Sequence, residues 1–130
     1  MYDATTRSIR IQVEPEFLDD QSSPEDSHFV WAYRVQIENQ GGETVQLLSR
    51  HWTITDNLGR VQEVTGAGVV GEQPVLRPGE SFEYSSGCPL STASGMMMGS
   101  YTMVANGRDS FDVRIPAFSL DSPYEARKIN

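Results

Sequence analysis

The chain has 130 residues and a formal net charge of −8, from 18 acidic and 10 basic side chains. This length suits one compact domain, and we expect a single domain over residues 1–130. The negative charge disfavours nucleic acid as the main partner, because its phosphate backbone would be repelled. No apolar run approaches the ~20 residues that a membrane span needs. Cys88 is the single cysteine, which excludes an internal disulfide and favours the cytoplasm.

Apolar residues recur at every second position in several segments, which predicts half-buried strands. In chain order they are Ile9, Ile11 and Val13; Phe29, Trp31, Tyr33, Val35 and Ile37; Tyr101, Met103 and Ala105; and Phe111, Val113 and Ile115. The last two runs flank Asn106-Gly107, a dipeptide that strongly favours a tight hairpin turn. Further turns are expected at 39–42, 56–59 and 78–79. The pattern predicts an all-β fold, an antiparallel sandwich of about seven or eight strands in the immunoglobulin or fibronectin type III style.

The apolar alternation changes phase within residues 44–55. Val45 and Leu47 occupy odd positions, whereas Trp52 and Ile54 occupy even ones. In a regular strand these two pairs would face opposite sides of the sheet. Either a bulge over 48–50 restores one inward face, or two strands belong to different sheets. The sequence leaves open whether the neighbouring Arg50 points to solvent or pairs with a carboxylate inside the fold.

Residues 66–71 carry the motif Gly66-x-Gly68-x-x-Gly71. A dinucleotide-binding fingerprint needs a helix directly after such glycines, and the prolines at 74 and 78 exclude one. Two interpretations remain. The glycines permit positive φ or close backbone packing in a structural loop, or successive amides cup a phosphate.

In the second interpretation the nearest cations in sequence are Arg50, Arg60 and Arg77. The planar guanidinium group suits phosphate geometry. Of these we take Arg50 and Arg77 as candidate ligand-binding residues, together with the three glycines.

Other candidate chemistry is sparse. The acidic segment 14–26 is expected to be a solvated loop, with a divalent cation site as the alternative. His51 lies near Asp56 in sequence, but no spacing signature supports a site there. Cys88 lacks an evident base and is expected to be a small core or turn residue. In 95–99, Met97 is expected to fill the core, and exposed methionines in this loop would mark a binding patch.

Taken together, the motifs resemble the ApaG family over roughly residues 7–120. The residues that carry the resemblance include Arg50-His51-Trp52, Ile54-Thr55-Asp56, Gly66-Ala67-Gly68-Val69-Val70-Gly71, Gln73-Pro74, Pro78-Gly79-Glu80, Ser86-Gly87, Met97, Gly99 and Ile115-Pro116. The resemblance implies a fibronectin type III-like sandwich, an association with cobalt and magnesium tolerance, and a protein-interaction role like that of related domains in larger eukaryotic proteins. It also implies a pyrophosphate site at the glycine motif.

We therefore expect a noncatalytic binding module for a protein partner, with no catalytic residues, no cofactor and no metal ligands. The partner would engage a sheet edge or the glycine and methionine loops. The alternative is pyrophosphate or dinucleoside polyphosphate binding through Gly66, Gly68 and Gly71, with Arg50 and Arg77 supplying charge. Residues 121–130 are expected to form a mobile tail, with Leu120 docked on the domain.

Overall fold

Antiparallel strands make up most of the protein in the computed structural model, which describes residues 1–125. The strands are β1 (Tyr2–Thr6), β2 (Ile9–Phe17), β3 (Phe29–Asn39), β4 (Val45–Asp56), β5 (Val61–Ala67), β6 (Val75–Leu76), β7 (Ser81–Leu90), β8 (Gly95–Ala105) and β9 (Asp109–Leu120). Two short 3-10 helices, Asp19–Gln21 and Pro24–Asp26, lie between β2 and β3. No helix within the described residues is long and apolar enough to cross a membrane.

The strands form two antiparallel sheets. One has four strands in the order β1-β2-β3-β7, and the other has five, in the order β5-β4-β8-β9 with β6 also paired to β4. The predicted antiparallel sandwich is confirmed. The nine strands exceed the seven or eight expected. The two shortest, β1 with 5 residues and β6 with 2, are too brief for a clear apolar alternation.

The core lies between the sheets, where the inward side chains of both sheets meet. Trp31 and Trp52 are only 1% and 3% exposed, as expected for inter-sheet packing. The Trp52 ring, from β4, packs edge-on against Tyr33 of β3, with centroids 5.4 Å apart. It also packs against Phe118 at 6.0 Å. Aromatic contacts between facing strands therefore hold the two sheets together.

A bulge at Leu48 explains the phase change in β4. Against β8, Leu47 pairs with Met103 and Ser49 pairs with Thr102, which leaves Leu48 without a partner. The extra residue turns the even-numbered side chains after it inward, so Trp52 is buried and Arg50 enters the space between the sheets. The predicted bulge is confirmed, and the alternative of two strands in different sheets is excluded because β4 is continuous.

The two long sides of the sandwich differ. On one side β9 packs across β1 and β2 and closes the core. On the other side β7 and β5 are the edge strands of their sheets. A cleft between the sheets opens there, lined by residues of β3, β4, β5 and β7. The topology thus leaves one side of the domain accessible.

At the C-terminal end β9 runs through Leu120, which is fully buried. The indole Nε1 of Trp31 donates a hydrogen bond of 2.8 Å to the carbonyl oxygen of Asp121. The Tyr124 ring lies 5.9 Å from that of Phe17. Segment 121–125 thus contacts the domain, whereas the rest of the predicted tail, 126–130, lies outside the described residues. Mobility of 121–130 stays a prediction.

Candidate functional site

The glycine motif forms a two-residue β-hairpin rather than the start of a helix. The amide of Val69 donates to the carbonyl of Glu72 at 2.8 Å, and the amide of Glu72 donates back at 2.9 Å. The turn residues Val70 and Gly71 both have positive φ, 44° and 80°, as a type I′ turn requires. A β-branched residue is an outlier in this region, so the surrounding structure holds Val70 in a strained conformation.

Close packing explains the first two glycines. A Cβ on Gly68 would overlap the backbone oxygen of Glu72, so only glycine fits there. On Gly66, a Cβ would lie 2.9 Å from the guanidinium carbon of Arg50. Gly71 has open space around it and depends on its positive φ alone. The motif therefore shapes the hairpin and leaves room for the Arg50 side chain.

The Arg50 guanidinium is fixed by two carbonyls of the glycine segment. Its Nη1 donates to the oxygens of Ala67 at 3.1 Å and Gly68 at 2.8 Å. Within residues 1–125 it forms no ion pair with a carboxylate, and its Nε and Nη2 groups make no hydrogen bond. Arg50 is half-buried, and its positive charge has no counter-charge in this part of the chain.

Arg50 lies at the junction of two adjoining hollows between the sheets, which we call the inter-sheet cleft. Their volumes are 250 Å³ and 200 Å³. Tyr33, Arg50, Trp52 and Ser86 line both hollows. The first extends along β5 and β7, and the second reaches the hairpin. A wider hollow of 470 Å³ lies over residues 14–16, Arg34 and Ser85 of the four-stranded sheet.

Hydroxyl groups accompany Arg50 in the cleft. The hydroxyls of Tyr84 and Tyr101 hydrogen-bond each other. Burial raises the pKa of Tyr84, Tyr101 and Tyr33, and the nearby charge of Arg50 offsets only part of that effect. All three phenols are therefore neutral near pH 7. The cleft combines one cation with neutral hydroxyl groups and aromatic walls.

The residues that line the cleft beside Arg50 are not evident from the sequence pattern. Tyr84 and Ser86 lie at alternating inward positions of β7, and Ser86 pairs with Tyr33 of β3. A polar serine within an otherwise apolar inward face was the available signal. Alternation alone could not show that β7 is an edge strand beside Arg50, because that depends on strand order.

The remaining predicted phosphate ligands are dispersed. Arg77 lies in the turn after β6, which pairs with the Val45 end of β4, whereas Arg50 pairs with Gly66. Arg60 is bound to Asp56 at 2.6 Å. The structure thus brings together Arg50 and the glycine hairpin without either of these arginines.

Several backbone donors of the motif are already used. The Gly68 amide donates to Leu48, and the Val69 amide donates to Glu72. The turn amides of Val70 and Gly71 donate no hydrogen bond within residues 1–125.

His51 does not meet Asp56. It lies on the outer face of the five-stranded sheet, with its Nε2 at 3.1 Å from Glu63 Oε1. Cys88 is buried, and burial raises the pKa of its thiol to about 11. The neutral thiol is a core group rather than an activated nucleophile.

In the acidic segment, Asp19 accepts a hydrogen bond from Tyr124 at 2.8 Å. Across residues 1–125, no three His, Cys, Asp or Glu side chains are arranged to hold a metal ion.

Exposed apolar side chains form a second feature, on the outer face of the five-stranded sheet. Met97 is buried as predicted, but Met96 and Met98 are 44% and 42% exposed. Through Thr55 of β4, Met96 is in register with Val61 of β5, which is 62% exposed. We call Met96, Met98 and Val61 the methionine patch. Val61 lies on the edge strand β5, whereas the two methionines lie on β8, with β4 between the two strands.

Comparison with known proteins places the chain in one family. The model of the ApaG domain (DUF525) matches residues 19–105. The chain belongs to the ApaG family. It is 64% identical to Protein ApaG of Paramagnetospirillum magneticum and 65% identical to Protein ApaG of Rhodospirillum centenum, in each case over the full length of both chains.

This ApaG-family chain also resembles solved structures. The crystal structure of a protein described as ApaA from Bordetella pertussis is 48% identical, with a TM-score of 0.86. The match covers 89% of this chain and 94% of that one. The predicted family resemblance is confirmed over the whole chain.

Alanine substitutions at Gly68 and Gly71 should separate the two roles of glycine in the motif. Both positions have positive φ, 62° and 80°, so each substitution should cost ~1–2 kcal/mol of unfolding free energy. Gly68→Ala should lose a further ~1–3 kcal/mol because its methyl group would overlap the Glu72 oxygen. Urea denaturation followed by tryptophan fluorescence measures both. Equal losses at the two positions would contradict the packing role of Gly68.

Proposed function

We propose that this ApaG-family protein is a noncatalytic binding module for a protein partner, which docks on the methionine patch and the β5 edge. The observation that carries the proposal is the position of exposed apolar side chains beside an unpaired strand edge. Val61, Met96 and Met98 are all more than 40% exposed. All three side chains share the outer face, with Thr55 of β4 between Met96 and Val61. Exposed apolar groups that share one face are typical of interaction sites, and methionine adapts to varied partner surfaces.

The β5 edge adds backbone recognition to this surface. An edge strand offers unpaired amide and carbonyl groups, to which an extended peptide can add as a further strand. Alternate side chains of β5, at 61, 63 and 65, face the same side as the methionines. A partner strand on this edge would bury Val61 and would also form hydrogen bonds with the outward amide and carbonyl groups of β5.

The arrangement of candidate catalytic groups supports a noncatalytic role. His51 is on the outer face, and the Cys88 thiol is buried in the core. The single buried cysteine fits a reducing compartment, and we propose that the module acts in the cytoplasm without a cofactor. The family association with cobalt and magnesium tolerance would then be exerted through the protein partner.

Glutamate substitutions in the methionine patch should abolish partner binding, because a charge would be buried without a partner in the interface. Met96→Glu and Met98→Glu should each lose the same set of proteins recovered by affinity capture from a bacterial lysate. The matched control is Val75→Glu, which places the same charge at another exposed apolar residue, 55% exposed on β6. Thermal unfolding verifies that the three variants stay folded. Recovery of the same proteins by all variants would contradict the proposal.

A second candidate function is the binding of pyrophosphate or a dinucleoside polyphosphate at the glycine hairpin. The guanidinium of Arg50 favours it, because it lies beside Gly66 and Gly68 without a carboxylate partner within residues 1–125. The turn amides of Val70 and Gly71 would supply backbone donors. The anion would then bind at the hairpin tip, on the two consecutive amides of the turn.

An NMR titration of the labelled protein with pyrophosphate and diadenosine tetraphosphate tests this second function. Amide shifts should be confined to residues 66–71 and Arg50, and they should saturate at sub-millimolar ligand. Arg50→Ala should weaken binding about tenfold or more, since a charge-assisted hydrogen bond is lost. Arg77→Ala is the matched arginine control and should bind as the parent does. Unchanged affinity in Arg50→Ala would remove the site.

A further inference from the structure

We propose that the inter-sheet cleft is a binding site for a small carboxylate with a planar apolar body, held by Arg50 in the half-open space between the sheets. The site is separate from the methionine patch, which lies on the outer face of the five-stranded sheet. It also differs in its ligand from the pyrophosphate candidate. The carboxylate would bind inside the cleft rather than on the hairpin tip.

The charge of the cleft matches a single negative charge. Among residues 1–125, Arg50 is the one cationic side chain that lines either hollow. Its Nε and Nη2 groups point to no partner within residues 1–125, and together they form the planar fork that a carboxylate accepts in bidentate fashion. A pyrophosphate carries additional charges that would lack a counter-cation here. The overall charge of −8 further disfavours a polyanion over a monoanion.

Arg50 is held in place before any ligand arrives. The Ala67 and Gly68 carbonyls fix its Nη1 group, and the absence of a side chain on Gly66 lets the guanidinium lie against β5. A preorganised donor loses little side-chain entropy on binding. The glycine motif thus contributes to the cleft by positioning the Arg50 guanidinium.

The walls of the cleft suit an apolar body of limited size. The larger apolar side chains that line the larger hollow are Trp52, Ile54, Val64, Pro89 and Met97, and the polar Gln62 also lines it. Its 250 Å³ lies below the roughly 300–1,000 Å³ of most ligand pockets, so the ligand must be small. The hydroxyl of Ser86 lines both hollows and can orient a polar substituent. An aryl carboxylate has the negative charge that fits Arg50, and the small planar ring that fits the walls.

Benzoate, its neutral isostere benzamide and inorganic pyrophosphate are the probes for the test. In NMR titrations of the full-length protein, benzoate should shift the amides of residues 86–88 and 66–71 and saturate at millimolar concentration or below. Benzamide should bind about tenfold more weakly, because it lacks the charge that Arg50 recognises. Pyrophosphate should bind no more tightly than benzoate. The preference for benzoate over benzamide should vanish in Arg50→Gln.

A cleft-filling variant keeps the test independent of the stability of Arg50→Gln. Val64→Trp should block benzoate, because Val64 lines the hollow. Thr65→Trp is the matched control, since it places the same ring on the opposite face of β5, and should bind benzoate as the parent does. Met98→Glu should also leave benzoate binding unchanged, which separates this site from the protein-docking function.

Three results would overturn the proposal: absence of benzoate shifts at millimolar concentration, equal affinities for benzoate and benzamide, or tighter binding of pyrophosphate. A short peptide ending in phenylalanine offers the same carboxylate and ring on a chain end. Binding of that peptide without binding of benzoate would assign the cleft to a protein terminus and would also overturn the small-molecule proposal.

Discussion

The bulge at Leu48 is the constraint on which the accessible side of the sandwich depends. One unpaired residue in β4 reverses the inward and outward positions that follow it, so Trp52 enters the core and Arg50 enters the cleft. On the β5 side, the carbonyl of Leu48 accepts hydrogen bonds from the Gly68 amide at 2.8 Å and from Gln73 Nε2 at 2.9 Å. Leu48 therefore determines the direction of the Arg50 side chain and also anchors the glycine hairpin that binds the Arg50 guanidinium.

The motif Gly66-x-Gly68-x-x-Gly71 invites a nucleotide-binding interpretation, but each of its glycines has a structural role. Gly66 makes room for the Arg50 guanidinium, Gly68 makes room for the Glu72 carbonyl, and Gly71 supplies positive φ in the turn. The three glycines therefore shape the hairpin, and in the proposed ligand sites the hairpin would act through Arg50 and the two turn amides. The outer face of the same sheet carries an unrelated feature, the methionine patch beside the β5 edge. The five-stranded sheet thus has the cleft on its inner face and the methionine patch on its outer face.

Much of the fold was predictable because period-two patterning and turn chemistry are local properties. The inward faces of β2 and β3, the Asn106-Gly107 turn and the bulge in β4 all followed from residue order. The cleft was not predictable, because Tyr33, Tyr84 and Ser86 meet Arg50 only through strand order and sheet packing. Closeness in sequence suggests that Arg77 and Arg50 share one site. The pairing of β6 with the start of β4 instead separates Arg77 from Arg50. Alternation specifies which side chains face inward, but it does not specify which edge strands face each other.

Deletions in β4 test the central claim most directly. The measurement is the free energy of unfolding in urea, followed by tryptophan fluorescence. Because Leu48 is the unpaired residue, its deletion should leave Leu47 and Ser49 in their present register with β8 and keep Trp52 inward. Deleting Leu48 and Ser49 together also removes a paired residue, so it should force Trp52 outward and cost ~3–5 kcal/mol or more, like the loss of a buried aromatic side chain. A Leu48 deletion that exposes Trp52 and is as unstable as the double deletion would contradict the account.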